Sequence, residues 1–317
     1  MQVFQVEAGS VIDFAPNGQT LVTGDPVTVV DMTDGTQQQI LATGSRSFGF
    51  IRGGAAIACL HPDCRLTVYD LLTRQHRTIE CASARTIKPV LRARGFVDEL
   101  RPRSSALAVS ADRRTIYLGV CWKEIGGLFR SESSNGRSEV MEFDADTLTC
   151  RGVFGHFSGH ISEMTVSANG RFLVGGDVQQ NEVRIWDVTD GRHPNRAKKR
   201  LSLKDRLWAL DVAPDGSHVV TTSYRGVTIC DTRTGKSVYH ADEHKQGIPA
   251  VACGPAQPVF VTGNQAGGVR LWDYTGRALA HFEWGLGEVR GLAFSPDGLR
   301  CAAVDSKGKV VVWDVDL

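Results

Sequence analysis

Seven segments of this chain end in an aspartate that follows β-branched or aromatic residues and precedes a turn. Three of them end in Trp-Asp, namely Trp186-Asp187, Trp272-Asp273 and Trp313-Asp314. In the other four, the tryptophan position is taken by Val30, Tyr69, Phe143 and Cys230. A recurrence of about 40 residues is typical of a repeat architecture in which each unit packs on its neighbours. Such an array can hold all 317 residues in one domain, although single cores usually stop growing at roughly 250–300 residues.

The last repeat shows the internal organisation most clearly. A strand at Val289–Ser295 leads through a Pro-Asp-Gly turn into Arg300–Asp305, and a Lys-Gly turn leads into Lys309–Asp314. Short apolar strands between Gly, Pro and Asp turns predict an antiparallel sheet. Earlier repeats continue into a fourth strand, but the chain stops at Leu317. We therefore expect the strand at Gln2–Val6 to complete the last sheet and close a ring, which removes an open sheet edge.

The combination of a Ser-Pro-Asp-Gly-type turn, a strand and Trp-Asp at one period resembles the WD-repeat β-propeller family. The resemblance covers the chain end to end. It implies an all-β fold with seven four-stranded antiparallel blades, and the Asn/Asp-Gly-rich turns resemble bacterial members more than animal ones. The expected blades span 9–41, 45–80, 104–154, 160–204, 206–241, 247–283 and 287–317, the last joined by strand 2–6.

Blades of this family often contain a buried network of a His, a Ser or Thr, the Trp and an Asp. The best match is the sixth repeat, with His244, Thr262 and Trp272, although Ala266 stands where the Asp would be. No repeat has the whole network, so we expect stability to depend on apolar packing between blades. The aspartates that follow the tryptophans, Asp187, Asp273 and Asp314, are expected to form turns.

Two insertions interrupt the third repeat, because the spacing from Asp70 to Asp144 is nearly double the usual one. The first, 81–104, is basic and includes Arg92 and Arg94; the second, 122–138, begins with Trp122. We expect both to be loops that rise side by side on one face. They are either solvated loops or a wall that selects a partner. A basic, aromatic loop can hold an acidic partner or single-stranded nucleic acid, but its few aromatics do not favour nucleic acid.

In this family, partners bind mostly across the face that carries the inter-blade loops, and two positions per blade line it. The residues that enter strand one are Ser10, Arg46, Ser105, Ser162, Trp208, Pro249 and Arg290. The residues that end strand two are Asp25, His61, Val120, Asp177, Ser223, Asn264 and Asp305. Trp and Arg are enriched in interface hot spots, and the aspartates could receive a Lys or Arg from a peptide. Alternatively, these are only polar residues at a wet rim.

The sequence gives little sign of chemistry or of a membrane. The formal charge is +1, which provides no general attraction to nucleic acid. The N-terminus has no secretion signal, and no span is long and apolar enough for a membrane. Eight cysteines without framework spacing indicate reduced thiols in a cytosolic protein. His156 and His160 lack further ligands nearby, and no phosphate loop or nucleophile elbow occurs.

The sequence therefore predicts a cytoplasmic, monomeric, non-enzymatic scaffold without cofactor or metal. It would bind a protein or peptide through the inter-blade-loop face, with Arg46, Trp208 and Arg290 as anchors. Two alternatives stay open. One is a small-ligand-binding or hydrolytic, lactonase-like propeller with Asp25, His61, Asp177 and Asp305 at the central channel. The other is association with nucleic acid through the basic loops.

Overall fold

The structure of the protein is a computed structural model. It describes residues 1–7, 11–41, 47–82, 85–92, 95–125, 137–157, 159–178, 180–189, 197, 199–241 and 246–315. For 85–92, 95–105, 123–125, 137 and 156–157 it describes the backbone path but not the side chains. These described parts form seven antiparallel sheets. The innermost strand of each sheet contacts those of both neighbours, including the last and the first, so the sheets are the blades of a closed ring.

The strands of the first two blades and the orphan N-terminal strand come first along the chain. The N-terminal strand is β1 (Gln2–Gln5). Blade 1 contains β2 (Ile12–Phe14), β3 (Thr20–Thr23), β4 (Val27–Asp31) and β5 (Gln37–Leu41). Blade 2 contains β6 (Ser47–Ile51), a 3-10 turn at Arg52–Gly54, β7 (Ala56–Leu60), β8 (Arg65–Asp70) and β9 (His76–Glu80). No helix in the described residues is long and apolar enough to cross a membrane.

The remaining blades follow in chain order. Blade 3 contains β10 (Arg85–Arg92), β11 (Gly95–Val109), β12 (Thr115–Ile125), β13 (Arg137–Asp144) and β14 (Cys150–Phe157). Blade 4 contains β15 (Ile161–Val166), β16 (Phe172–Asp177), β17 (Glu182–Asp187) and β18 (Lys199–Ser202). Blade 5 contains β19 (Ala209–Val212), β20 (His218–Thr222), β21 (Val227–Asp231) and β22 (Ser237–Ala241). Blade 6 contains β23 (Ala250–Cys253), β24 (Val259–Gly263), β25 (Gly268–Asp273) and β26 (Ala278–Glu283). Blade 7 contains β27 (Val289–Phe294), β28 (Arg300–Asp305) and β29 (Lys309–Asp314).

The N-terminal strand closes the ring, which confirms the expectation from the sequence. Strand β1 pairs antiparallel with β29, in a register that runs from Gln2 opposite Val312 to Gln5 opposite Lys309. The Val6 backbone N–H continues this pairing by donating to the Gly308 carbonyl at 2.9 Å. The sheet order is therefore β1-β29-β28-β27, and the edge that β29 would otherwise expose is covered.

The first insertion differs from the expected loop. It forms a β-hairpin in which β10 pairs with the outer half of β11, from Arg85 opposite Leu100 to Arg92 opposite Gly95. Strands β11 and β12 then pair from Glu99 opposite Ile125 down to Val109 opposite Ile116. The physical reason is that Val, Ile, Leu and Phe residues flank a Gly-containing turn, which is a hairpin pattern. Blade 3 is thus five-stranded, with β10 added beside its innermost strand.

The core consists of apolar clusters shared between neighbouring blades. Trp186 is fully buried in blade 4, and Phe154 of blade 3 meets its ring edge-on at 6.2 Å. Trp272 is buried in blade 6 and donates its indole N–H to the Thr262 hydroxyl at 2.9 Å. Trp313 in blade 7 packs against Trp284 with ring centroids 4.4 Å apart. The clusters that contain Trp186 and Trp313 each join two blades, so apolar packing between blades supports the ring.

The aspartates that follow two of these tryptophans organise turns. Asp273 accepts hydrogen bonds from the Thr275 backbone N–H at 2.9 Å and from its hydroxyl at 2.6 Å. Asp187 accepts from the Thr189 hydroxyl and from the Arg171 guanidinium. Asp314 lies exposed at the end of β29. His244, which the sequence places in the sixth network, lies outside the described residues.

Candidate functional site

The residues that end strand two do not form the acidic rim that the sequence predicts. Asp305 is only 2% exposed and accepts backbone N–H groups of Gly287, Lys307 and Lys309 at 2.8–2.9 Å. Asp177 is 1% exposed and accepts the Gln180 N–H at 3.1 Å. Their carboxylates fold inward and hold the turns between strands two and three. The interpretation of these two aspartates as a surface for a basic peptide is therefore wrong.

Other residues at the same position hold turns in a similar way. The Asn264 side-chain oxygen accepts the N–H groups of Ala266 and Gly268, both at 2.9 Å. His61 Nε2 lies 2.9 Å from the Thr67 hydroxyl within its own blade. Asp25 lies half-buried at the end of blade 1's second strand, followed by a cis bond to Pro26. These contacts are internal to the fold, so they support neither a peptide-binding rim nor a hydrolytic cluster.

The insertions contribute no exposed aromatic anchor among the described side chains. Trp122 is 4% exposed, lies in a cluster with Leu66 and Ala82, and donates its indole N–H to Glu139 at 3.0 Å. Its expected role in partner binding is wrong, because the long β11–β12 pairing carries it into the core. Arg92 ends β10, but its side chain is not described. Arg94, Arg46 and residues 126–136 lie outside the described residues.

An aromatic pair of blade 5 lies at the mouth of the channel, against the segment that enters blade 6. The Trp208 ring, half-buried, contacts the Tyr224 ring edge-on with centroids 5.8 Å apart. It lies so close over Gly247 that a Cβ there would come within 2.1 Å of the indole. Tyr224 is 57% exposed on the turn between strands two and three. Trp208 is distinctive in the sequence, but Tyr224 is not, since a tyrosine in a turn has no recognisable pattern.

Charged and polar residues continue this patch onto blade 7. The exposed Arg290 guanidinium contacts the Glu288 carboxylate at 2.8 Å. The Gln265 side chain of blade 6 donates to the same carboxylate at 3.1 Å. Arg206, exposed at the entry to blade 5, lines the same cavity. The mouth therefore combines an aromatic pair with an arginine that is held in place by a network, as interface anchors often are.

Below the mouth lies a central cavity of about 1030 Å³, walled by the innermost strands of the seven blades. Alternate residues of these strands form two rings around it. The ring nearer the mouth is Val11, Ser47, Ala106, Glu163, Ala209, Ala250 and Gly291. The deeper ring is Asp13, Gly49, Ala108, Thr165, Asp211, Ala252 and Ala293. Small residues dominate both rings, and the three carboxylates among them are Asp13, Glu163 and Asp211.

Two of these carboxylates stabilise the ring itself. Asp211 accepts from the Thr165 hydroxyl at 2.9 Å, the Val212 N–H at 2.8 Å and the Cys253 N–H at 2.7 Å. Asp13 lies 3.8 Å from the Arg113 guanidinium. Burial raises the pKa of Asp13, while Arg113 and the backbone N–H groups of Phe14 and Phe50 oppose that rise. Burial likewise raises the pKa of Asp211 against its hydrogen bonds.

The third carboxylate, Glu163, differs from these two. Among the described residues it has no hydrogen-bond or ion-pair partner. Burial by itself raises the pKa of Glu163 from 4.5 to about 8, because loss of water disfavours the charged form. Glu163 is not recognisable from the sequence, since one glutamate on an apolar strand reveals neither its burial nor its lack of a partner. In the described residues, no group of three His, Cys, Asp or Glu side chains is placed to hold a metal ion.

Comparisons with known proteins agree with this architecture. The family model described as WD domain, G-beta repeat, matches residues 148–187 and 278–314. The chain is 27% identical over 197 residues to U3 small nucleolar RNA-associated protein 4 homolog of Mus musculus, covering 62% of this chain and 23% of that protein. It is 36% identical over 85 residues to Eukaryotic translation initiation factor 3 subunit I of Pyricularia oryzae, covering 25% of this chain and 24% of that protein.

One solved structure is similar to this chain over nearly its whole length. A chain in the structure entitled "Crystal Structure of Mitotic Checkpoint Complex" aligns with a TM-score of 0.76 and 15% sequence identity, covering 99% of this chain and 91% of that one. At that identity the likeness shows the fold. The chain spans about a quarter of the length of the two curated relatives described above. The two matched repeats and the seven closed blades support a WD-repeat β-propeller.

Proposed function

We propose that this chain is a cytoplasmic, non-catalytic scaffold that binds a protein or peptide across its inter-blade-loop face. The anchors are Trp208, Tyr224 and Arg290. The observation that carries the proposal is the Trp208–Tyr224 pair, in which a half-buried indole supports an exposed tyrosine ring at the mouth of the channel. Tyr, Trp and Arg dominate the energetics of protein interfaces, and the closed ring holds them in place before binding, which lowers the entropic cost.

The family supports the same proposal. The relatives of this chain include a subunit of a translation initiation factor and a small nucleolar RNA-associated protein, and the first of these names describes part of a larger assembly. We extend to this chain only the general role of holding a partner protein, and we propose that the chain by itself is a monomer. Catalysis by Asp25, His61, Asp177 and Asp305 gains no support, because the described contacts of Asp177, His61 and Asp305 lie within the fold.

Affinity purification with a surface variant tests this proposal. The wild type is compared with Trp208→Ala/Arg290→Glu, after circular dichroism has shown that the variant is folded. The matched control is Leu72→Ala/Arg74→Glu, which removes an exposed apolar side chain and reverses a charge on the turn after β8. We expect a protein partner that the wild type and the control retain and the mouth variant loses. A partner retained equally by all three would contradict the proposed face.

The same purification distinguishes a protein partner from nucleic acid. Binding that depends on phosphate contacts weakens steeply as salt rises. A partner anchored by Trp208 and Tyr224 is expected to stay bound between about 50 and 200 mM salt, since apolar burial is not screened. Loss of the captured material after nuclease treatment, with a steep salt dependence, would instead favour nucleic acid held by the basic insertion.

A further inference from the structure

We propose that the cavity below the Trp208–Tyr224 pair is a binding site for one cationic group, an alkylammonium or a guanidinium, which pairs with the Glu163 carboxylate. The inference rests on the proposed function in so far as the cation is a Lys or Arg side chain of a bound peptide. A free amine of the same chemistry is the other source. Trp208 and Glu163 line one continuous cavity, so a group that enters past the aromatic pair reaches the carboxylate.

The geometry favours one cation because the other acidic groups around the cavity already have partners. The remaining charged residues that line it are Asp13, Arg113, Arg206, Asp211, Glu288 and Arg290. Asp13 pairs with Arg113, and Glu288 pairs with Arg290. The Asp211 carboxylate accepts three hydrogen bonds. Glu163 has no such partner among the described residues. A buried charge without a partner is costly, and a bound cation would remove that cost.

A second unsatisfied group lies beside Glu163. The Ser162 hydroxyl oxygen is buried and has no hydrogen-bond partner in the described structure. Buried polar atoms are nearly always hydrogen-bonded, so such an exception calls for an explanation. Here two adjacent polar side chains on the same channel-lining strand are both left without partners. Ammonium and guanidinium groups carry several N–H donors and no acceptor, so either group can pair with the Glu163 carboxylate.

The surroundings also leave room for the ligand. The ring that contains Glu163 is otherwise made of Val, Ser, Ala and Gly residues, so no large side chain fills the space in front of it. Cavities that bind small groups are typically about 300–1,000 Å³, and this one is about 1030 Å³. The Trp208 ring, which lines the cavity at its mouth, provides an aromatic face of the kind that attracts cations. The raised pKa of Glu163 is consistent with a carboxylate that lacks its counter-ion.

The first arm of the test uses free cations as probes. Protein with ¹³C-labelled glutamate is titrated by NMR, and the Glu163 carboxyl signal is assigned by its absence in Glu163→Gln. We expect the midpoint near pH 8 to fall by about one pH unit or more in n-butylammonium or n-butylguanidinium. The neutral alcohol n-butanol should leave it unchanged. This arm reports on the site whether or not any peptide binds.

The second arm uses bead-displayed peptides with random flanks and a central residue fixed as Lys, Arg, Gln or norleucine. They are selected on the wild type, Glu163→Gln, Trp208→Ala/Arg290→Glu and the control Glu80→Gln, whose carboxylate is exposed on the outermost strand of blade 2. We expect the wild type and the control to enrich Lys or Arg peptides about tenfold over norleucine peptides. Glu163→Gln should still bind peptides but lose that preference.

Each outcome decides between the two proposals. Peptides enriched on the wild type without a preference for a cation, and equally on Glu163→Gln, would overturn the cation site and leave the proposed function standing. No enrichment of any peptide would count against peptide binding, and the butyl cations then decide the cation site. A shifted midpoint in that case would assign the site to a free amine. An unshifted midpoint together with no Lys or Arg preference would overturn it.

Discussion

The Asp211 carboxylate of blade 5 accepts the backbone N–H of Cys253 in blade 6 at 2.7 Å. The Thr165 hydroxyl of blade 4 donates to the same carboxylate at 2.9 Å. One side chain thus joins three consecutive blades at the wall of the channel. The innermost strand of blade 6, β23, has a neighbour in its sheet on one side only, so some of its N–H groups need other partners. Asp211 supplies such a partner for Cys253.

Removing this carboxylate should therefore loosen the ring. We expect Asp211→Ala to lower the free energy of unfolding by about 1–3 kcal/mol, because it leaves a backbone donor and the Thr165 hydroxyl without their acceptor. Ala252 and Ala293 occupy the same ring position in blades 6 and 7, so the smaller side chain itself fits. Urea unfolding measures the effect, with Asp314→Ala at an exposed position as the control. Equal midpoints for the two variants would contradict the role of Asp211.

The buried tryptophans should dominate stability. We expect Trp186→Ala, Trp272→Ala and Trp313→Ala each to cost about 3–5 kcal/mol, since each removes a buried indole from a packed cluster. Thr262→Val should cost about 1–3 kcal/mol, because it leaves the Trp272 N–H buried without its acceptor. Thermal melting of the four variants measures both effects. Unchanged melting of all three tryptophan variants would refute this placement of the core.

Ring closure can be tested at a single glycine. A Cβ at Gly308 would lie 2.1 Å from the Val6 carbonyl oxygen, whereas at Gly285 the nearest heavy atom is 3.8 Å away. Both glycines have positive φ, so Gly285→Ala reports the cost of strain, about 1–2 kcal/mol. We expect Gly308→Ala to cost more and to release β1 from β29. Limited proteolysis of the N-terminus, followed over time, should show faster cleavage in Gly308→Ala than in Gly285→Ala.

Glu163 should make stability depend on pH in a defined direction. Its pKa is raised in the folded state from 4.5 to about 8, so the folded protein binds the proton more tightly than the unfolded chain. The resulting stabilisation is complete below about pH 4.5 and is lost as pH rises to about 8. We expect the melting temperature of the wild type to fall relative to that of Glu163→Gln as pH rises from 5 to 9. The control Glu80→Gln should follow the wild type; identical pH profiles for wild type and Glu163→Gln would contradict the assignment.

The sequence itself determined the repeat and its strands. Trp272-Asp273 and the Gly and Pro turns are local signals, because turn geometry and strand alternation depend on residues a few positions apart. The unmatched strand at the start of the chain was enough to predict closure, since an open edge is a liability. Trp208 also stood out, because a tryptophan at a loop-facing position is rare and its chemistry is distinctive.

Only the tertiary structure decided which polar side chains reach the surface or the channel. Asp177 and Asp305 looked like a binding rim, yet they turn inward because their own turns offer backbone N–H groups at close range. Asp211 and Glu163 line the same cavity. Neighbouring blades donate hydrogen bonds to Asp211, but none of their described residues donates one to Glu163. Those neighbours lie some 40 residues away in sequence, so no local pattern can encode whether a carboxylate finds a partner.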